Sequence, residues 1–126
     1  MNNHTKYFSD PISLSQLRCH CGCGKDNIEY NLLTILDSLR TKYGKAININ
    51  SGVRCEEHNK KVGGRKNSAH LHGLAVDIRC EDDRDRWILL DIIRAYLPIR
   101  RIGLGNGYIH IDIARDKKQD VFWDYY

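Results

Sequence analysis

Ser68-Ala69-His70-Leu71-His72-Gly73-Leu74-Ala75-Val76-Asp77-Ile78-Arg79, taken with Tyr108-Ile109-His110-Ile111-Asp112-Ile113, decides the fold of this chain. From Leu74 to Arg79 the residues alternate, with Leu74, Val76 and Ile78 on one side and Ala75, Asp77 and Arg79 on the other. From Tyr108 to Ile113, Ile109, Ile111 and Ile113 oppose Tyr108, His110 and Asp112. Side chains of a strand point alternately to its two faces. Each segment is therefore a strand that buries an aliphatic row under helices and turns a polar row outward. If the two strands are neighbours, Asp77 and His110 share the uncovered face, and His70 reaches it from the preceding loop.

The helices that cover the aliphatic rows are legible on either side. Ile28, Leu32, Ile35, Leu36, Leu39 and Tyr43 recur at steps of three and four, which predicts an amphipathic helix over residues 28 to 43, ended by Gly44. A second is expected over 82 to 97, capped by Asp82 or Asp83 and stopped by Pro98, with Trp87, Ile88, Leu89, Ile92, Ile93 and Tyr96 among its apolar positions. Residues 46 to 50 read as a strand and 55 to 62 as a short helix before the turn at Gly63-Gly64. A hairpin-like connection over Gly103-Leu104-Gly105-Asn106-Gly107 completes an α+β pattern with a mostly antiparallel sheet.

With 126 residues and no linker, repeat or low-complexity tract, the whole chain, 1 to 126, is expected to be one domain. A net charge of +4 is too small to argue for nucleic acid, and no stretch approaches the length of a membrane span. The segment Met1 to Lys6 has no apolar core of a secretory signal, so cytoplasmic synthesis and reduced cysteines are expected.

Asp is disfavoured in strands, and a carboxylate inside an aliphatic strand costs stability unless a cation or donor meets it. Asp77, His110 and Asp112 are nonetheless the outward residues here, and His70 stands close by. Neutral imidazole and carboxylate are the ligands of catalytic zinc, which leaves a coordination position open for water. Spacing alone thus points to a metal site.

The pattern Ser68-x-His70-x-x-Gly73-x-Ala75-x-Asp77, with a later strand bearing His110, resembles the zinc D-Ala-D-Ala carboxypeptidase family (peptidase family M15), closest to its short phage- and bacteria-associated members. The likeness extends to Phe8-Ser9, to Cys19-His20-Cys21-Gly22-Cys23-Gly24, and to Ser51-Gly52-Val53-Arg54-Cys55-Glu56-Glu57-His58-Asn59 with Val62-Gly63-Gly64 and Asn67-Ser68. The resemblance implies a hedgehog/DD-peptidase-like fold with helices on one sheet face and the zinc site on the other. It implies one Zn²⁺ per chain, held by His70, Asp77 and His110, and hydrolysis of a peptide bond in peptidoglycan, as a carboxypeptidase or a cell-wall endopeptidase. Family members commonly carry an acid three positions before the last zinc His; here Gly107 stands there.

That departure leaves the general base open. Asp112 shares a strand face with His110, roughly 6 to 7 Å along the strand, and is either the catalytic base or a partner that orients a histidine. His72 and Glu57 are further candidates. The resemblance places Arg54 near a substrate carboxylate or carbonyl, in a catalytic or substrate-binding role; a salt bridge to Glu56 or Glu57 is the plain alternative. Ser68 either binds substrate or caps the turn before His70. Tyr108 either lines the pocket or packs on Trp123 or Tyr125.

The triplet Cys19-x-Cys21-x-Cys23 lacks the two-residue gap of common zinc knuckles and has no second Cys pair nearby in sequence, which favours a structural role. Cys55 follows one strand and Cys80 ends another, so those two are plausible neighbours. The expected partner is the peptidoglycan stem peptide, with neither nucleic acid nor membrane involved, and the protein is expected to be a monomer acting at the bacterial wall, with a phage lysis protein as one origin. The alternative function is a non-catalytic zinc-containing module that binds cell-wall peptides on the same fold.

Overall fold

The computed structural model describes residues 14–125. The Phe8-Ser9 part of the sequence resemblance lies outside them. Four α-helices, α1 (Leu14–Leu17), α2 (Tyr30–Tyr43), α3 (Glu56–Lys61) and α4 (Asp83–Tyr96), accompany five strands, β1 (Ile49–Ser51), β2 (Ala75–Arg79), β3 (Arg101–Gly105), β4 (Tyr108–Asp112) and β5 (Val121–Asp124). A 3-10 turn, Ala69–His72, precedes β2. The architecture is α+β with a mixed sheet in the order β1-β2-β4-β3-β5, antiparallel at every pairing except β3–β5, which is parallel.

The register fixes the site. Asp77 of β2 lies opposite His110 of β4, which lies opposite Gly103 of β3, which pairs with Trp123 of β5. An irregularity between Ile49 and Ser51 brings Ser51 opposite Asp77 at the other edge. On the far face Val76, Ile78, Ile109, Ile111 and Ile102 join one core with Leu32, Leu36 and Leu39 of α2 and Leu89, Ile92 and Ile93 of α4. Burying a Leu or Ile contributes about 1.5–3 kcal/mol, so this aliphatic layer, which contains no ligand-type histidine or carboxylate, holds the sheet that carries the site.

Local chemistry accounts for the element ends. The Gly44 N–H closes α2 on the Arg40 carbonyl at 3.0 Å. Asp82 is the cap of α4, its Oδ1 accepting from Asp85 N–H at 3.0 Å. Glu29 begins α2 without a side-chain cap, and its N–H donates instead to the Gly73 carbonyl at 2.9 Å, tying the helix to the turn that carries His70.

The structure departs from the sequence reading at several points; the strand expected over 46 to 50, for one, is confined to Ile49–Ser51. Trp87 and Tyr96 are 77% and 66% exposed rather than part of the apolar face of α4. Trp87 sits two residues from Leu89, about 200° around the helix, and Lys42 covers the Tyr96 ring at 5.1 Å. Residues 103 to 105 are strand, and the connection shrinks to the two-residue Asn106-Gly107 turn. Cys55 and Cys80 do not meet: the Cys80 thiol faces the Asp82 carbonyl at 3.8 Å, and Cys55 lies beside Cys19.

Gly73 is required twice over. Its φ is +70°, and a Cβ there would lie 2.0 Å from the Asn27 carbonyl oxygen. Gly63 shares the conformation, φ +74°, with nothing within 4 Å. Left-handed strain alone costs about 1–2 kcal/mol. Gly63→Ala should therefore lose about that much in denaturant unfolding, and Gly73→Ala clearly more; equal losses would show that the Asn27 contact relaxes freely.

Candidate metal centre

The 3-10 turn aims His70. Ser68 Oγ caps it by accepting the His70 N–H at 3.2 Å, and Gly73 closes it. The His70 ring is fixed by Nδ1 against the Gly52 carbonyl at 2.7 Å, which leaves Nε2 facing Asp77 Oδ1 at 3.2 Å. From β4, His110 places Nδ1 2.9 Å from the same Asp77 oxygen and Nε2 2.7 Å from Asp112 Oδ2. His70, Asp77 and His110 are all buried, and one ligand atom from each lies within 4.8 Å of the others. Two imidazoles and a carboxylate converging in this way form a donor set suited to zinc.

Each ligand is held by a further residue. Asp112 is 1% exposed and wholly engaged: Oδ2 meets His110, while Oδ1 accepts from Arg101 Nε at 2.7 Å and from the Ala114 N–H at 3.1 Å. The other oxygen of Asp77 faces Arg54 Nη2 at 3.3 Å. Arg54 also donates from Nε to Ser51 Oγ at 3.0 Å and from Nη1 to Asn59 Oδ1 at 3.1 Å; its bonds do not run to Glu56 or Glu57.

These partners set the electrostatics. Burial would raise the Asp77 carboxyl, but hydrogen bonds from His110 and His70 outweigh it and hold the group well below the usual carboxylate range. Burial likewise works against the His110 imidazolium, and hydrogen bonds to Asp112 and Asp77 reverse that and raise its pKa. For Asp112, burial is overcome chiefly by His110, with Arg101 and the Ala114 N–H adding to the lowering.

The metal-type residues form the floor of a cleft of about 560 Å³, which Arg54, Ser68 and Tyr108 also line. Sequence reasoning named Tyr108 and its Trp123 or Tyr125 partner but missed that Trp123 and Tyr125 themselves form the far wall. Trp123 lies 5.5 Å from the His110 ring, Tyr125 lies 6.1 Å from Trp123, and Tyr108 packs on Tyr125 at 5.8 Å. Gly103 makes room for them, since a Cβ there would come within 2.7 Å of the Trp123 ring. Arg101, stacked on Trp123 at 4.9 Å, was missed too. The signal available was the Val-Phe-Trp run at 121–123, too short to be distinguished from a loop. His72 and Glu57 do not line the cleft. Position 107 faces elsewhere: a Cβ on Gly107 would meet Glu81 at 3.4 Å.

A family model described as Peptidase M15 matches residues 6–112. The chain belongs to this family. The match spans His70, Asp77, His110, Arg54, Ser68, Tyr108 and Asp112, and stops before β5. A search of curated proteins returns no match. No helix among the described residues of this M15 member is long and apolar enough to cross a membrane.

A pH dependence follows for the metal-free protein. His110, with its pKa raised above the ordinary value of about 6.5, stabilises the fold fully below that value and loses the contribution as pH rises through the raised pKa. Asp77 and Asp112, both lowered, contribute above about pH 3.9 and lose it only as pH falls through their depressed values. The melting temperature of chelator-treated protein should fall as pH rises above about 6.5 through the raised His110 pKa. His110→Ala should flatten that decline, and an unchanged slope would rule out His110 as its source.

Proposed function

We propose that the protein is a zinc-dependent peptidase that hydrolyses a peptide bond of bacterial peptidoglycan, as a D-Ala-D-Ala carboxypeptidase or a cell-wall endopeptidase. The observation that carries this reading is the convergence of His70 Nε2, Asp77 Oδ1 and His110 Nδ1 on the floor of an open cleft, in an M15 chain. Zinc held there supplies Lewis acidity toward a carbonyl and a water acidic enough to react near neutral pH.

The protein's own groups prepare the site. Gly52 and Asp112 accept the outer N–H groups of His70 and His110, which keeps the inner nitrogens free to act as donors. Asp112, buried and with both oxygens engaged, suits that orienting role rather than proton transfer. Of the carboxylates lining the cleft among the described residues, Asp77 is likewise engaged, by His70, His110 and Arg54. Burial raises the Tyr125 phenol above its ordinary pKa, so it stays a hydrogen-bond donor at neutral pH.

Arg54 has five N–H donors, of which the three bonds to Ser51, Asn59 and Asp77 use three. The remaining two suit a peptide carboxylate or carbonyl. Arg65 and Lys117 on the same cleft add positive charge, which matches the carboxylates of a stem peptide. Ser68 keeps its hydroxyl hydrogen for substrate while its oxygen caps the turn, and Tyr108 contributes to the wall. We assign the protein to the short phage- and bacteria-associated members of the family, working as a monomer at the wall. The second reading, a non-catalytic peptide-binding module, is favoured by the engagement of both buried carboxylates, Asp77 and Asp112, in hydrogen bonds.

Digestion of purified sacculi with and without chelator, followed by mass spectrometry, tests the function. Released peptides that vanish on chelation support the peptidase and identify the bond; no release from any wall preparation gives the lead to the binding module. Asp112→Asn should weaken zinc affinity roughly 10- to 100-fold. A loss of turnover with full metal retention would instead make Asp112 the base. Arg54→Lys keeps the charge but loses the fork, so it should impair turnover more than stability; unchanged kinetics with a lower melting temperature would give Arg54 a structural role only.

A further inference from the structure

A second cluster of metal-type donors lies apart from the cleft. The sulfurs of Cys19, Cys21, Cys23 and Cys55 all fall within 4.8 Å of one another. Cys19 lies 3.4 Å from Cys21 and 3.7 Å from Cys55, and Cys21 lies 3.6 Å from Cys55. None of the four is paired in a disulfide. Four thiolates around a tetrahedral zinc, with Zn–S of 2.3 Å, stand about 3.8 Å apart. The observed separations are close to that and far longer than a disulfide bond.

The surroundings point the same way. Three of the sulfurs accept backbone N–H groups: Cys19 from Cys55 at 3.4 Å, Cys55 from His58 at 3.4 Å, and Cys23 from Lys25 at 3.5 Å. A thiol sulfur is a weak acceptor, whereas a metal-bound thiolate carries the charge that such donors stabilise. Gly22 and Gly24, both at φ +87°, bend the chain so that successive cysteines face one point. Cys21 and Cys23 are exposed, an unusual position for thiols with only a packing role.

We propose that Cys19, Cys21, Cys23 and Cys55 form a closed tetrathiolate site for a structural Zn²⁺, so that the loaded protein carries two zinc ions rather than one. Binding displaces the thiol protons to solvent and leaves no position for water. The site clamps the 19–23 loop onto Cys55. The adjoining residues serve the cleft: Arg54 contacts Asp77, its N–H donates to the His70 carbonyl, and the Gly52 carbonyl holds the His70 ring. The cysteine site thus stabilises the frame behind Arg54 and His70 without touching substrate.

Elemental analysis of the full chain, purified under reducing conditions, should give two zinc ions per chain. His110→Ala should retain one, and in that variant cobalt substitution should give the thiolate-to-cobalt charge-transfer bands of a tetrahedral tetrathiolate. The surface variant Cys23→Ser should weaken those bands and lower zinc content, and Cys80→Ser should leave both unchanged. In unaltered protein, titration with a mercurial should release one zinc as the four thiols react. Thiolate bands that persist in His110→Ala while the wild type cleaves no peptidoglycan would leave this site standing and the peptidase reading refuted. Metal-free protein with four reactive thiols, or with disulfides among these cysteines by mass spectrometry, would overturn the second site.

Discussion

The Asp77 carboxylate is the interaction on which the rest of the structure depends. A charge buried in the middle of a sheet is costly unless it is paired and hydrogen-bonded. One of its oxygens lies between the His70 and His110 rings and the other faces Arg54. Each of these partners comes from a different element: a 3-10 turn, a neighbouring strand, and the loop after β1. The register of β2 on β4, the irregularity in β1 and the cap on the His70 turn all serve one carboxylate. The same arrangement that makes its burial tolerable places two imidazole nitrogens beside it.

The parts legible in the sequence were those written in local periodicity. Alternation gave β2 and β4, and steps of three and four gave α2 and α4, because side-chain direction repeats over a few residues in each. Pairing of β2 with β4 was needed to join Asp77 to His110, and the shared polar face suggested it. Strands β3 and β5 were not legible. β3 carries glycines because aromatic rings lie across it, a tertiary reason that locally reads as a loop. The Arg101–Asp112 pair depends on a strand pairing and so had no local signature.

The cysteines show the same boundary from the other side. The triplet at 19–23 has an unfamiliar spacing, and its fourth member lies far along the chain, after β1. Only the fold brings Cys55 to it. The return of the N-terminal arm is held by backbone bonds, Val53 N–H to the Leu17 carbonyl and Cys19 N–H to the Lys25 carbonyl, so the thiols gather on a frame that the main chain has already closed.

The parallel strand β5 lies at the sheet's edge, beyond the family match, and supplies Trp123 to the cleft, with Tyr125 just past its end. Part of the wall therefore comes from a stretch of chain separate from the floor, while Tyr108 and Arg101 add to it from β4 and β3. An edge strand has only one neighbour to satisfy, but the Trp123 ring lies 5.5 Å from His110 and 4.9 Å from Arg101, so a change in β5 reaches the buried residues. The edge strand is thus coupled to the polar face it covers, and the two cannot vary independently.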